Sequence, residues 1–268
     1  MTASPPQEAQ AAPAGPPPVI GPPPVIETRD LYRIYGRGDS EVRALDGASL
    51  TVQPGEFVAI MGASGSGKST MMHILGCLDT PDAGTYRLDG VDVSTMTGRE
   101  LSRVRNRKIG FVFQSFNLIP TMSAFENVEL PMIYAGVARR ERRQRAALAL
   151  SMVGLTSRAK HRPGEMSGGQ QQRVAVARSL VNAPALILAD EPTGNLDSTA
   201  TAEVLDVFGQ INAAGRSVVL ITHENDVAAH AHRVVRMRDG RIVSDTAQDG
   251  PSTIELAPVP ATTLGGEL

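Results

Sequence analysis

The sequence predicts an α/β fold with a parallel-sheet nucleotide core, a small antiparallel sheet and a helical subdomain. Three observations predict it. A continuous apolar run, Phe57–Met61, ends in the loop Gly62-Ala63-Ser64-Gly65-Ser66-Gly67-Lys68-Ser69-Thr70, and a helical pattern follows. A second apolar run, Leu186–Ala189, ends in the paired carboxylates Asp190 and Glu191. Between the two, residues 115–180 contain no convincing strand. Strands alternating with helices favour a parallel sheet, and a strand-free stretch inside such a pattern reads as an inserted helical unit.

Taken in order, Leu31–Tyr35 and Val42–Val52 alternate apolar and polar residues, as half-buried or edge strands do. Phe57–Met61 is uniformly apolar, which suits a strand covered on both faces. A helix is expected over Lys68–Leu78. Gly84–Val93 reads as a hairpin turned at Asp89-Gly90. Thr97–Arg107 reads as a helix and Ile109–Phe113 as another buried strand. Ser123-Ala124-Phe125-Glu126 matches a capping box and opens a helix. Arg139–Val153, stopped near Gly154, and Gln170–Asn182 complete the helical subdomain. The sheet resumes at Leu186–Ala189 and continues with Ser217–Thr222 and Val234–Met237, before a last hairpin turn at Asp239-Gly240.

Composition bounds the rest. The chain has 268 residues, enough for a sizeable core, and no internal repeat, so one nucleotide module is expected. With 26 Lys+Arg against 28 Asp+Glu there is no overall pull towards nucleic acid or anionic lipid. A single cysteine, Cys77, excludes an internal disulfide and suits a reducing compartment; it reads as a small buried residue on the helix after the loop. No run approaches the roughly 18–20 apolar residues of a membrane span. Residues 1–24 lack a basic start and an apolar stretch, so they read as a disordered Pro/Ala-rich tail rather than a secretory signal. The folded domain is expected over 25–245, followed by a flexible tail over 246–268.

The motifs carry the chemistry. Gly62-x-x-x-x-Gly67-Lys68-Ser69 is the P-loop pattern. Its glycines let backbone N–H groups turn inward around phosphate oxygens, and the following helix adds its positive end. Lys68 is placed on the β- and γ-phosphates and the Ser69 hydroxyl on Mg²⁺. Asp190, at the end of a buried strand, is placed on the same ion. Glu191 is placed as the general base that orients the attacking water. Ser167-Gly168-Gly169-Gln170 offers a hydroxyl, unobstructed N–H groups and a helix start, hence a second anion site. About a hundred residues from the first, it need not face the same nucleotide. A symmetric dimer resolves this, each chain's loop closing over the other's γ-phosphate.

In this order and spacing, residues 28–244 resemble the ATP-binding subunit of an ABC transporter. The resemblance makes residues 62–70 the Walker A segment, 167–170 the signature loop and 186–191 Walker B with its catalytic glutamate. It further implies that Tyr35 stacks on adenine, that Gln114 reaches Mg²⁺ or water and senses the γ-phosphate, that Asp197 communicates across the dimer, and that His223 contacts the γ-phosphate. Met166 stands where the family usually has leucine, a change of similar size and polarity. His73, on the helix after the loop, has no such match and reads as structural. The segments Ile74–Asp79, Phe111–Leu118, Glu126–Pro131 and Ala189–Asp197 resemble the macrolide-exporter and lipoprotein-releasing (MacB/LolD) group. That implies ATP and Mg²⁺ as ligands and ATP hydrolysis by a homodimer. It also implies an integral-membrane permease on a separate chain, of four-helix MacB/FtsX-like type. The site of action would be the cytoplasmic face of the inner or plasma membrane. A regulatory counterpart acting at cell division remains an alternative, and so does a soluble member acting on nucleic acid, although the second kind generally carries two fused cassettes or a long coiled coil. Two basic clusters stand apart from these motifs: Arg99, Arg103, Arg105, Arg107 and Lys108, and Arg139, Arg140, Arg142, Arg143 and Arg145. Each is a solvated face or a contact for lipid headgroups or the permease.

Overall fold

The computed structural model describes residues 22–248. The expected tails over 1–24 and 246–268 lie almost wholly outside the described residues. In chain order the elements are β1 (Ile26–Tyr35), β2 (Val42–Val52), β3 (Phe57–Met61), α1 (Lys68–Leu75), β4 (Ala83–Leu88), β5 (Val91–Asp92), α2 (Gly98–Lys108) and β6 (Ile109–Phe113). The helices α3 (Ala124–Tyr134), α4 (Arg139–Met152) and α5 (Gly168–Leu180) follow, and then β7 (Leu186–Asp190), α6 (Ser198–Ala213), β8 (Ser217–Thr222), α7 (Asn225–Ala228), β9 (Arg233–Arg238) and β10 (Arg241–Ala247).

One sheet is antiparallel, in the order β2-β1-β4-β5; the other runs β10-β9-β3-β8-β7-β6, parallel except for the β10 edge. The uniform hydrophobicity of β3 follows from its place between β8 and β9, with all five residues buried. Its side chains divide with the two-residue period of a strand. Phe57, Ala59 and Met61 join the core shared with α3, α4, α5 and α6, while Val58 and Ile60 join the core shared with α1 and the antiparallel sheet. The helical subdomain and the antiparallel sheet therefore pack on opposite faces of the nucleotide sheet.

The helix starts follow their local chemistry. Ser123 and Glu126 close the expected capping box on α3, and Thr97 with Glu100 closes another on α2. β1 begins at Ile26 rather than Leu31 and α5 spans Gly168–Leu180 rather than Gln170–Asn182; three further differences have local causes. First, α1 stops at Leu75 rather than Leu78. Cys77 takes a left-handed φ of 53°, and the His73 carbonyl accepts from the N–H groups of Leu78 and Asp79, which closes the helix end. Cys77 thus sits in a buried turn after the helix, not on it. Second, α6 was not anticipated. Its apolar face, Val204, Leu205, Phe208 and Ile211, has helical spacing but is diluted by Thr and Ala in the first two turns. Third, β10 pairs with β9 through Ala247, two residues into the expected tail. Among the described residues, no helix is long and apolar enough to cross a membrane.

Candidate nucleotide site

The sheet registers bring the dispersed motifs to one edge. Met61 pairs with Thr222, Asp190 with Ile221, and Phe113 with Asp190. The C-terminal ends of β3, β8, β7 and β6 therefore lie side by side. Out of them emerge, in spatial order, the loop at Gly62, His223, Asp190 with Glu191, and Gln114. Neighbouring strands are about 4.8 Å apart, so the row is roughly 14 Å long. Ligands of open α/β sheets bind along this carboxyl edge.

The loop 62–70 is built for close backbone approach. Gly65 and Gly67 have φ of 79° and 99°. A Cβ on Gly62 would lie 2.4 Å from the Met237 carbonyl oxygen, and one on Gly67 would lie 2.4 Å from that of Ala44. The buried Lys68 ammonium donates to the carbonyls of Gly62 (2.6 Å) and Ala63 (2.8 Å), so it is folded over the loop's own backbone. The Ser66 hydroxyl is buried and has no hydrogen-bond partner among the described residues. Ala63, Ser64 and Ser69 are exposed. An orphaned buried donor, a cationic head and the start of α1 together fit an anionic oxygen ligand.

The carboxylates differ in setting. Asp190 is half-buried. Desolvation, followed by the neighbouring Glu191 charge, holds its acid above the ordinary carboxylate range; His73 and Lys68 oppose this. A hard dication would relieve that strain, and Ser69, Asp190 and Gln114 carry oxygen atoms of the hard kind such an ion would accept. Among the described residues no cluster of three or more His, Cys, Asp or Glu could hold a metal unaided. Glu191 has a φ of 41°, uncommon for a non-glycine residue, and its Oε1 lies 2.8 Å from His223 Nδ1. Its N–H donates to Ile221 O, and its carbonyl accepts from Gly194 N–H.

Gln114 lies over Gly194, where an added Cβ would come within 2.6 Å of its Nε2. Asn195 Nδ2 donates to the Gln114 carbonyl at 3.1 Å. Tyr35 is at the end of β1. Its hydroxyl donates to Asp79 Oδ2 (3.1 Å), the Arg33 guanidinium covers one ring face at 4.9 Å, and the side chain is 40% exposed.

The loop 167–170 is not brought onto 62–70. Ser167 caps α5 and shares a capping box with Gln170. Gly168 is packed near Leu196, and a Cβ on Gly169 would lie 2.7 Å from the Ala200 Cβ. Among the described residues no hydrogen bond joins 167–170 to 62–70. Asp197 caps α6, its Oδ1 accepting from Ala200 N–H at 2.8 Å.

Two polar groups on α5, the buried Gln172 and the half-buried Arg178, carry no motif signal in the sequence. Gln172 donates to the Pro192 and Phe113 carbonyls. The Arg178 guanidinium donates to the carbonyls of Phe116 and Asn117, both at positive φ. Polar residues beside the buried run Val174–Ala177 were the available signal.

The basic clusters divide. Arg142 pairs with Glu129, Arg145 with Glu141, and Arg143 lies over Phe125, so much of the second cluster is spent within the helical subdomain. Lys108 pairs with Asp89 and Arg105 donates to the Cys77 carbonyl. Arg99, Arg103, Arg105 and Arg107 line a groove of about 750 Å³ between α2, β6 and α3, together with Tyr134 and Pro131.

A strand, a phosphate loop and a helix, set beside a strand ending in carboxylates, define a P-loop nucleotide-binding cassette. The family model described as ABC transporter matches residues 45–194, and the chain belongs to the ABC transporter family. It is 54% identical over 218 residues to an ABC transporter ATP-binding protein of Thermotoga maritima, covering 81% of this chain and 93% of that one. It is 55% identical over 222 residues to a macrolide export ATP-binding/permease protein MacB of Hyphomonas neptunium, covering 83% of this chain but 34% of that one. The chain therefore spans about a third of the length of such MacB relatives. Among solved structures it resembles the ATP-binding cassette MJ0796 in a dimeric post-hydrolysis state bound to ADP and Pi. The TM-score is 0.76 at 42% identity, over 83% of this chain and 98% of that one. The resemblance read from the motifs, and the fold expected from it, are borne out.

Proposed function

We propose that the chain is the ATP-hydrolysing subunit of a membrane ABC transporter, catalysing ATP + H₂O → ADP + phosphate as a homodimer. The observation that carries this is the alignment of the P-loop, His223, Asp190–Glu191 and Gln114 along one sheet edge. The loop 62–70 wraps the phosphates and Lys68 leaves its backbone carbonyls for them. Tyr35 offers its ring to adenine. Ser69, Asp190 and Gln114 would hold Mg²⁺, which when bound neutralises charge developing on the phosphate oxygens. Glu191 accepts a proton from the attacking water, and His223, 2.8 Å from its carboxylate, orients it and faces the γ-phosphate. Ser167–Gln170 act on the partner's nucleotide, since among the described residues no hydrogen bond joins them to the loop 62–70; Asp197, at the same surface, relays between the sites. The dimeric state of the MJ0796 structure supports this arrangement.

The partner is an integral-membrane permease of the four-helix MacB/FtsX-like type, and the groove rimmed by Arg99, Arg103, Arg105 and Arg107 accepts its cytoplasmic helix. The subunit then works at the cytoplasmic face of the inner or plasma membrane through that permease. The near-neutral balance of charge offers nothing to nucleic acid. The test is Glu191→Gln. With Mg·ATP it should elute as a dimer and turn over on the order of 10²–10⁴-fold more slowly; tagged, it should recover a permease from detergent-solubilised membranes. Hydrolysis at the wild-type rate would remove Glu191 from the role.

A further inference from the structure

We propose that Gln172 is a positioning residue for hydrolysis, one buried side-chain amide that sets the backbone beside both Gln114 and Glu191. The proposal rests on the roles given to those two residues above. Gln172 is fully buried, at 0% exposure. Its Nε2 donates to the carbonyl of Pro192 at 2.5 Å and of Phe113 at 3.3 Å. Pro192 follows Glu191 and Phe113 precedes Gln114. A primary amide has two N–H bonds, and here each goes to the peptide flanking a different reacting group.

Glu191 needs such a hold. Its φ of 41° is a conformation that persists in non-glycine residues only where the surroundings impose it. The N–H of Glu191 is held by Ile221 and its carbonyl by Gly194. Gln172 supplies the grip on the next peptide. Phe113 is already register partner to Asp190, so the amide closes a bridge across the ends of β6 and β7. Its Oε1 has no partner among the described residues, which burial makes costly. The side chain is retained in the core at that cost for what its Nε2 does.

The test uses Gln172→Met, which keeps volume without donors, and Gln172→Glu, which keeps shape. Turnover is measured per nucleotide-binding site, counted by titration with a non-hydrolysable ATP analogue, together with KM for ATP. Misplacement on the 1 Å scale costs up to about 10²-fold, so Gln172→Met is expected to lose at least about tenfold in turnover per site with KM within about twofold. A buried Gln172→Glu carboxyl can donate one bond when protonated. Its turnover, taken relative to that of wild type at each pH, is expected to rise as pH falls from about 8 to about 6. A residue that only stabilises the fold would lower the number of binding sites and leave turnover per site intact. Turnover per site within about twofold of wild type, or a flat pH ratio for Gln172→Glu, overturns the proposal. Glu191→Gln is run in parallel: if it hydrolyses like wild type, the role of Glu191 fails first and the positioning role falls with it, an outcome distinct from normal turnover by the Gln172 variants beside an inactive Glu191→Gln.

Discussion

Replacing Gly169 by alanine should push α5 and α6 apart, and the structure sets the size of the effect. The new Cβ would meet the Cβ of Ala200 at 2.7 Å, whereas carbon atoms rest at about 3.5–4.0 Å. The contact must open by roughly 1 Å, and overpacking of this kind costs about 1–3 kcal/mol. Against it stands the helix preference of Ala over Gly, at most about 1 kcal/mol and less in a first turn. The φ of Gly169 is not positive, so no backbone strain is added. The net expectation is a loss of about 1–2 kcal/mol, or roughly 2–8 °C in Tm for a domain of this size. Ala200→Gly alone should cost up to about 1 kcal/mol of helix preference. Combined with Gly169→Ala it removes the clash, so the double variant should be close to wild type. The assay is a double-mutant cycle in urea, with ATP hydrolysis followed alongside. A coupling of about 2 kcal/mol is expected, and so is a drop in turnover for Gly169→Ala that Ala200→Gly restores, because the displaced segment is the loop proposed to act on the partner's nucleotide. Strict additivity of the two changes would refute the reasoning.

Two further outcomes follow from individual environments. Burial pushes the Cys77 thiol up to about 11, a nearby Arg105 only partly opposing it; the native protein should therefore resist a thiol reagent at pH 8 and react once unfolded in urea. Because the neutral thiol is the folded form's preference, the stability this contributes is present below the unfolded thiol's pKa and is lost as pH climbs from there towards 11. Labelling of folded protein at the free-thiol rate would contradict the burial. Backbone and hydroxyl bonds from Ser123 hold the Glu126 carboxyl below its usual range. Its contribution is present above the unfolded carboxylate's pKa and is lost as pH falls through the lowered value. Ser123→Ala should cost about 0.5–2 kcal/mol at neutral pH and less in acid, read from unfolding midpoints at pH 7 and pH 3; an equal loss at both would separate the cap from the carboxylate.

What the sequence by itself determined is whatever depends on short-range pattern. The order of strands and helices, the helix starts at Thr97 and Ser123, the P-loop and the carboxylates of Asp190 and Glu191 follow from periodicity and local spacing. They are set by backbone geometry within a few residues. The end of α1 was misjudged because a left-handed φ at Cys77 leaves no mark on the apolar pattern. α6 was passed over because the tertiary core, not a strong local stripe, holds it.

Only the tertiary structure decided which distant groups meet. The registers Met61 with Thr222 and Asp190 with Phe113 put four separated motifs on one edge. Asp197 turned out to cap α6, Arg142 to be spent on Glu129, and Gln172 to reach Phe113 across 59 residues of chain. Such bonds form because buried polar groups must be satisfied by whatever the fold brings near, and a chain met one residue at a time does not carry that proximity.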